Sequence, residues 1–401
     1  MARLFPPPVQ GDHVTDQPFG NIQIDMYLNG ALTGARPPYT TNLDALEDLA
    51  RDQVSAGAYG YVAGSAGTGA TAQANREAFD RWRIVPRMLV DASVRSQATT
   101  VLGTDMPAPV VLAPVGVQTI MHADGELASA RAAAELGLVF TQSTAATHSM
   151  EEVADASGDG ARWYQLYWPK DRDVAASFVA RAEAAGYSAI VVTLDTFVMG
   201  WRPVALDTAY LPFLQGQGIQ NYTSDPAFNA PLGSSPEQGD QVFRWAGMFG
   251  DPTLTWKDLA WLREQTTLPI ALKGVLHPDD ARQAVDAGVD GIVVSNHGGR
   301  QVNGAVASLD ALPAVVEAVG DSIEVLFDSG IRTGADVVKA LALGADAVLY
   351  GRPYLYGLAL GGQEGVSQIL RYLLGELDVT MALAGLPTLE HLTRDVLVPA
   401  P

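Results

Sequence analysis

Three short apolar stretches of this chain end in polar residues spaced two apart. Gln165 and Tyr167 fall in YQLY, Thr193 and Asp195 in VVTLD, and Ser295 and His297 follow GIVV. Side chains two apart on a strand share a face, so each pair points the same way. Lys273 follows a fourth apolar run, Asp328 ends a fifth, and Gly351-Arg352 follows a sixth. An imidazole, carboxylates, an ammonium and guanidinium groups are the equipment of proton transfer and anion binding. The segment Asp328-Ser329-Gly330-Ile331-Arg332, with a helix starting near Thr333-Gly334, offers backbone N–H groups and a cation to a phosphate. Gly351-Arg352 offers the same. Singly, each residue has a plainer reading: Asp195 as a helix cap, Gln165 as partner of a buried carbonyl, Lys273 as one half of a rim ion pair. His13, His122, His148, His277 and His391 read most simply as surface or capping residues, His277 standing before a helix that Pro278 starts. It is the shared position of the polar groups, at the ends of apolar runs, that the plain readings do not explain.

The elements that would hold them follow a rhythm. Eight apolar runs occur at 110–113, 138–141, 163–167, 189–194, 269–272, 291–294, 323–327 and 346–350. Continuous rather than alternating apolarity suits strands covered on both faces. Ala-rich helical stretches at 124–136, 171–185, 278–287, 308–319 and 334–343 lie between them, each followed by a glycine: Gly137, Gly186, Gly288, Gly320 and Gly344. Glycine supplies the left-handed residue that stops a helix. The expected fold is α/β, a (β/α)₈ TIM barrel over about 108–360, with its chemistry at the C-terminal strand ends. An open doubly wound sheet would carry a Gly-rich fingerprint after its first strand, and APVGVQ does not match it. Asn42 to Ser55 reads as a capped helix with Leu43, Leu46, Leu49 and Val54 near one stripe; residues 1–42 read as a tail contacting the body or another subunit. Residues 197–256 interrupt the rhythm after the fourth strand. Tyr210, Phe213, Tyr222, Phe228, Phe243, Trp245 and Phe249 there favour an ordered lid over a disordered insert.

The chain has 401 residues, and we read it as a single domain with an N-terminal helical extension. Its net charge of −20 argues against nucleic acid or an anionic membrane as partner. It has no cysteine, which removes disulfides, thiolate nucleophiles and thiolate metal sites, and no metal site is expected. No stretch reaches the ~20 uninterrupted apolar residues of a membrane helix, and MARLFPPPVQ has no apolar signal core. A cytoplasmic protein is the expectation.

At Ser295-Asn296-His297-Gly298-Gly299-Arg300-Gln301 the sequence resembles the FMN-dependent 2-hydroxy acid oxidases. YVAG (61–64), APVG (113–116), YQLYWPKDR (164–172), TLDT (193–196), LKG (272–274), DSGIRTGADVVKALALGA (328–345) and GRP (351–353) agree in order, over about Asn42 to Thr393. Within the family, GWRPVALD (200–207), NYTSDP (221–226) and SNHGGRQVNG (295–304) look most like lactate 2-monooxygenase. The resemblance implies FMN, a small 2-hydroxy acid and O2, and a homo-oligomer, tetramer or octamer. It implies His297 as base, Asp195 supporting its imidazole, Arg300 and Arg202 gripping the substrate carboxylate with Tyr61, and Tyr167 against the substrate oxygen. Pro114, Val115, Gly116, Ser143, Gln165, Thr193, Lys273 and Ser295 are implied at the flavin ring, and Asp328, Gly330, Arg332, Gly351 and Arg352 at its ribityl chain and phosphate. It implies oxidation of L-lactate to acetate, carbon dioxide and water, with an oxidase releasing keto acid and peroxide as the alternative. An acceptor-linked dehydrogenase and a non-catalytic barrel rank below both. Two departures matter. Ala145 stands where glycolate oxidase has a Trp, which opens the pocket to side chains beyond methyl. Gly116 stands where most oxidase relatives have Ala, and it is expected to leave room for oxygen beside the flavin.

Overall fold

The structure, a computed structural model, describes residues 18–401; His13 and the first residues of the tail lie outside them. The eight apolar runs are eight strands: β1 (Val110–Leu112), β2 (Val139–Ser143), β3 (Arg162–Leu166), β4 (Ile190–Thr193), β5 (Ile270–Val275), β6 (Gly291–Val294), β7 (Glu324–Phe327) and β8 (Ala347–Tyr350). All neighbours are parallel, and β8 pairs back onto β1 to close a barrel. The strands are buried on both faces, which is why they read as unbroken apolar runs.

Alternation carries each strand from core to site. Trp163, Val191, Ala271, Val293, Leu326 and Leu349 belong to one buried cluster. Two residues further on stand Gln165, Thr193, Lys273, Ser295, Asp328 and Gly351, and two more bring Tyr167, Asp195 and His297. The other end of the barrel is filled. Thr99–Val101 and Thr104–Met106 form a hairpin whose Val101, Leu102 and Met106 join the same cluster, and Trp163 Nε1 donates to Thr104 Oγ1 at 3.1 Å. A cavity is left at the C-terminal end of the barrel.

The five expected helices lie at Gly125–Glu135, Arg172–Ala184, Pro278–Asp286, Ser308–Val319 and Gly334–Ala342. All five glycines that follow them have positive φ. Three outer helices and a long closing one were not legible as periodic text: Ala70–Asp80, Met150–Ser157, Asp258–Glu264, and Arg352–Ala384, which is broken at Gly361 and Gly362.

The N-terminal extension is helical and packs on the body, as expected, while two other expectations need correction. The tail contains a helix, Asn21–Thr33, entered at Gly20, whose N–H donates to Asp378 Oδ2 at 2.9 Å; Arg95 holds both oxygens of the same carboxylate. The segment 42–55 is not one helix. Asn42 caps a single turn at Leu43–Ala45 leading into Leu46–Arg51, Ser55 caps a separate helix at Ala56–Ala63, and Leu49 is 45% exposed. The lid is ordered, as its aromatics suggest, but helical: short helices lie at Pro203–Asp207, Pro212–Gln215, Gln220–Thr223, Pro226–Asn229 and Ala230–Leu232, and a longer one at Gln238–Met248. Phe213, Tyr222, Phe228 and Trp245 are buried in it, while Phe243 is 84% exposed.

Candidate active site

A cavity of about 1060 Å³, its open mouth included, lies at the C-terminal strand ends. Of the residues singled out from sequence, Tyr61, Pro114, Val115, Gly116, Ala145, Tyr167, Arg202, Lys273, His297, Arg300, Asp328, Gly330, Arg332, Gly351 and Arg352 all line it. Ser143, Gln165, Thr193, Asp195 and Ser295 are buried behind its wall. They are joined to one another and to it by hydrogen bonds: Ser143 Oγ donates to Gln165 Oε1 and Gln165 Nε2 to Thr193 Oγ1, both at 2.9 Å.

His297 follows β6 in a short left-handed loop, with φ of 58°. A chain of polar groups fixes that loop. Ser295 Oγ accepts from the His297 N–H at 3.0 Å, and Ser329 Oγ from the Gly298 N–H at 3.0 Å. Asn296 and Asn75 exchange paired amide bonds of 2.8 and 2.7 Å. The imidazole Nδ1 lies 2.8 Å from Asp195 Oδ1, and Thr196 Oγ1 donates to the same carboxylate oxygen at 3.0 Å. A carboxylate there keeps the proton on Nδ1 and leaves Nε2 as the basic atom. Burial pushes the His297 imidazolium below the usual histidine range, although Asp195 pulls the other way; Lys273 and Arg202 add to the lowering. Asp195 stays below the ordinary carboxylate range despite its burial, because of His297 and Lys273. The β5 bulge allows this approach: a Cβ on Gly274, at φ 111°, would sit 2.8 Å from that of Asp195.

Opposite, cations converge. Arg300 Nη1 donates to the Gly64 carbonyl at 2.8 Å and the Val62 carbonyl at 3.2 Å, and Arg352 reaches the same two carbonyls. These carbonyls belong to the C-terminal end of helix Ala56–Ala63, where the helix dipole favours positive charge. Burial, with Arg202 and Arg352 nearby, pushes the Arg300 guanidinium down to about 9. Crowded cations of this kind are relieved by an anion. Lys273 Nζ touches Asp328 Oδ2 at 2.7 Å and Ser295 Oγ at 2.9 Å. Burial pulls its pKa down, but Asp328 and Asp195 outweigh burial and hold it above the usual lysine value.

The lid completes the cavity with residues that sequence reasoning placed only in an aromatic insert. Rings run without a break from Tyr61 to Phe213 (6.2 Å), Trp245 (4.7 Å), Phe249 (5.3 Å) and Tyr167 (5.5 Å). Phe213, Phe249, Met199, Thr196 and Ser329 are lining residues that the strand-end pattern missed. Ser329, a non-glycine residue at φ 85°, was read only as backbone of the phosphate-facing segment 328–332.

Two readings change. His148 is not a surface or capping residue: its Nδ1 lies 2.9 Å from Oε2 of the fully buried Glu126, which raises its pKa. Gly116 does not leave open space. A Cβ there would lie 2.0 Å from the Ala145 carbonyl oxygen and 2.7 Å from the Ala145 methyl. The glycine is needed so that the loops after β1 and β2 can touch.

A family model for FMN-dependent dehydrogenase matches residues 50–399. The chain is 44% identical to an FMN-dependent alpha-hydroxy acid dehydrogenase of Penicillium citrinum, covering 94% of this chain and 95% of that one. It is 43% identical to an L-lactate oxidase of Lysinibacillus sphaericus, covering 91% and 94%. A crystal structure of mandelate oxidase with (S)-4-hydroxymandelic acid superposes with a TM-score of 0.81 at 40% identity, over 90% of this chain and 99% of that one. The chain therefore belongs to the FMN-dependent dehydrogenase family, and it is an FMN enzyme that oxidises 2-hydroxy acids.

Proposed function

We propose that the substrate is a small L-2-hydroxy acid, L-lactate first among them, and that in air the products are acetate, carbon dioxide and water. The donor set fits FMN. Five cations, Arg202, Lys273, Arg300, Arg332 and Arg352, line the cavity against one carboxylate, Asp328. Arg332, Arg352 and the backbone at Gly330 and Gly351 suit the phosphate, where a side chain on Gly351 would meet only the Ala113 methyl, at 3.7 Å. Pro114, Val115 and Gly116 suit one face of a flat ring. Gln165, Ser143, Thr193, Ser295 and Lys273 suit its polar edge, where the ammonium favours negative charge. Bound there, FMN would supply a two-electron acceptor for the substrate α carbon, with O2 as the final oxidant.

The chain's own groups do the rest. Arg300 and Arg202 hold the carboxylate, with the Tyr61 hydroxyl beside them. His297 Nε2 removes a proton from the substrate hydroxyl or α carbon, and Asp195 stabilises the imidazolium that results. Tyr167 stays protonated, because burial and Asp195 raise its pKa, and can donate a hydrogen bond to the substrate oxygen. Ala145 leaves room for a side chain longer than methyl.

The observation that carries the acetate outcome is the aromatic arch. It spans the cavity from Tyr61 to Tyr167 and slows escape of a keto acid. Pyruvate and hydrogen peroxide confined together react to acetate, carbon dioxide and water. The names of relatives such as the L-lactate oxidase favour a second reading, release of pyruvate and peroxide. An oxygen-electrode assay with L-lactate that quantifies acetate, pyruvate and peroxide decides. Acetate equal to the oxygen consumed supports the proposal; stoichiometric free peroxide overturns it and leaves the oxidase.

With this function goes a cytoplasmic homo-oligomer, a tetramer or octamer, that needs neither membrane nor nucleic acid. Ile24, Tyr27 and Leu32, exposed on helix Asn21–Thr33, supply apolar surface for the contact between copies. Sedimentation velocity tests it, and a monomer at micromolar concentration overturns it.

A further inference from the structure

We infer that Gln301 is a positioning residue: a single carboxamide that clamps the stem of the lid and seats Arg202 for the substrate carboxylate. Its Nε2 donates to the carbonyls of Asp195, at 2.6 Å, and Val198, at 3.0 Å. Its Oε1 accepts from the Gly200 N–H at 3.4 Å and from Arg202 Nη2 at 2.5 Å. Both amide hydrogens face acceptors and the oxygen faces two donors, so only one orientation of the amide satisfies the site. Arg202 has a second tie to the same loop, Nε to the Arg300 carbonyl at 3.0 Å. The two carboxylate-facing arginines are thus linked through the backbone of Arg300 and the side chain of Gln301.

The surrounding backbone is built for this contact. A Cβ on Gly200 would lie 2.4 Å from the Arg300 carbonyl oxygen and 2.9 Å from Gln301 Cα, so the stem closes on the clamp only as glycine. The far end of the lid returns to the same place. Gly250, at φ 73°, would bring a Cβ within 2.3 Å of the Phe197 carbonyl oxygen. Above this closed base the aromatic arch is held by ring contacts, which can part and re-form. Below it, the Gln301 carboxamide alone touches four points between Asp195 and Arg202, beside the Gly67 N–H to Trp201 carbonyl bond and the Arg202 to Arg300 tie. Gln301 therefore sets where Arg202 stands and how firmly residues 198–206 are held, while proton transfer at His297 is left to Asp195.

The retention of keto acid that the clamp supports rests on the proposed acetate-forming reaction; its effect on carboxylate binding does not. The test uses FMN-loaded enzyme and the variants Gln301→Ala and Gln301→Glu. The glutamate keeps the shape, cannot donate to the Asp195 and Val198 carbonyls, and sets its own charge against Arg202. Oxalate, a dianion that is not turned over, is titrated by its perturbation of the flavin absorbance. Loss of the hydrogen bond to Arg202 in Gln301→Ala, and a carboxylate competing with oxalate for Arg202 in Gln301→Glu, predict an oxalate Kd raised ~10-fold or more in both variants. The limiting rate of anaerobic flavin reduction should stay within ~3-fold of the parent, so that KM moves and the chemical step does not. Amide hydrogen exchange should rise at residues 198–206 and not in the barrel strands. Unchanged oxalate affinity, or a reduction rate that falls as far as the affinity does, overturns the assignment. Lower thermal stability or FMN occupancy with parental oxalate affinity marks a merely structural glutamine and also overturns it. If the parent releases pyruvate and peroxide, the monooxygenase reading fails, yet the oxalate and exchange results still judge the clamp.

Discussion

The pairing of His297 with Asp195 sets the pH range in which the site works. A base must be neutral to act, and burial holds the His297 imidazolium below the usual value of ~6.5. Activity is therefore retained as pH falls to neutrality and is lost only as pH passes down through that lowered value. The acid limb of kcat/KM is expected below pH ~6.5; a limb at or above neutrality would sink this account. His297→Ala should keep FMN while slowing flavin reduction by ~10²–10⁴-fold, read by anaerobic stopped flow. Near-parental reduction in that variant would give the base to another group. Gly116 makes a contrasting case. Its missing Cβ meets the Ala145 carbonyl, so Gly116→Ala is expected to push two loops apart and destabilise the fold by ~1–3 kcal/mol. Ala145→Gly in the same chain should recover little, because the 2.0 Å conflict is with backbone. A Gly116→Ala enzyme with parental Tm and FMN content but altered products would restore the idea of an oxygen space.

Strands were easier to read than helices, for a physical reason. A barrel strand is apolar on both faces, so β1 to β8 stand out as unbroken runs, and period two then places Gln165, Thr193 and Ser295 without further information. Glycines such as Gly137 mark helix ends because only they enter the left-handed region cheaply. Met150–Ser157 was missed although Ser149 and Glu152 form a capping box, because it is only eight residues long. The lid was recognised as ordered but not as helical: all but one of its helical segments are three to five residues long and are held by rings from elsewhere, such as Tyr61 on Phe213. Those tertiary contacts are also why Phe213 and Phe249 were not legible as cavity residues. They make the arch testable. Trp245 is buried between Phe213 and Phe249, so Trp245→Leu should loosen the roof, while exposed Phe243→Ala serves as a control. In air the Trp245 variant is expected to release a larger share of keto acid and peroxide, with flavin reduction within ~3-fold of the parent. A product ratio that stays parental would separate the arch from product retention.

Charge is distributed unevenly over the whole molecule. The chain carries a net −20, yet the cavity at the C-terminal strand ends is lined by five cations and a single carboxylate. Two consequences follow from this contrast. The acidic exterior keeps polyanions away, while the low-dielectric cavity concentrates a small anion. Assembling Arg300, Arg352 and Arg332 also costs folding energy until an anion arrives, since burial and mutual repulsion already push Arg300 down to about 9. Flavin binding should then be a folding force as well as a catalytic requirement. A ligand at 100 times its Kd stabilises the native state by about 2.7 kcal/mol, so apoprotein should melt several degrees below FMN-loaded enzyme in calorimetry. Riboflavin separates the sources of this effect, because it offers the same ring and ribityl chain without the phosphate. If Arg332, Arg352, Gly330 and Gly351 hold the phosphate, riboflavin should bind far more weakly than FMN and stabilise less at equal concentration, and inorganic phosphate should restore part of the missing stability at low ionic strength. Raising salt should erode the phosphate effect and leave the riboflavin effect nearly intact, because screening acts on the charged contact alone. Should riboflavin bind and stabilise as well as FMN, the phosphate does not reside at the ends of β7 and β8, and the role given to those two arginines fails.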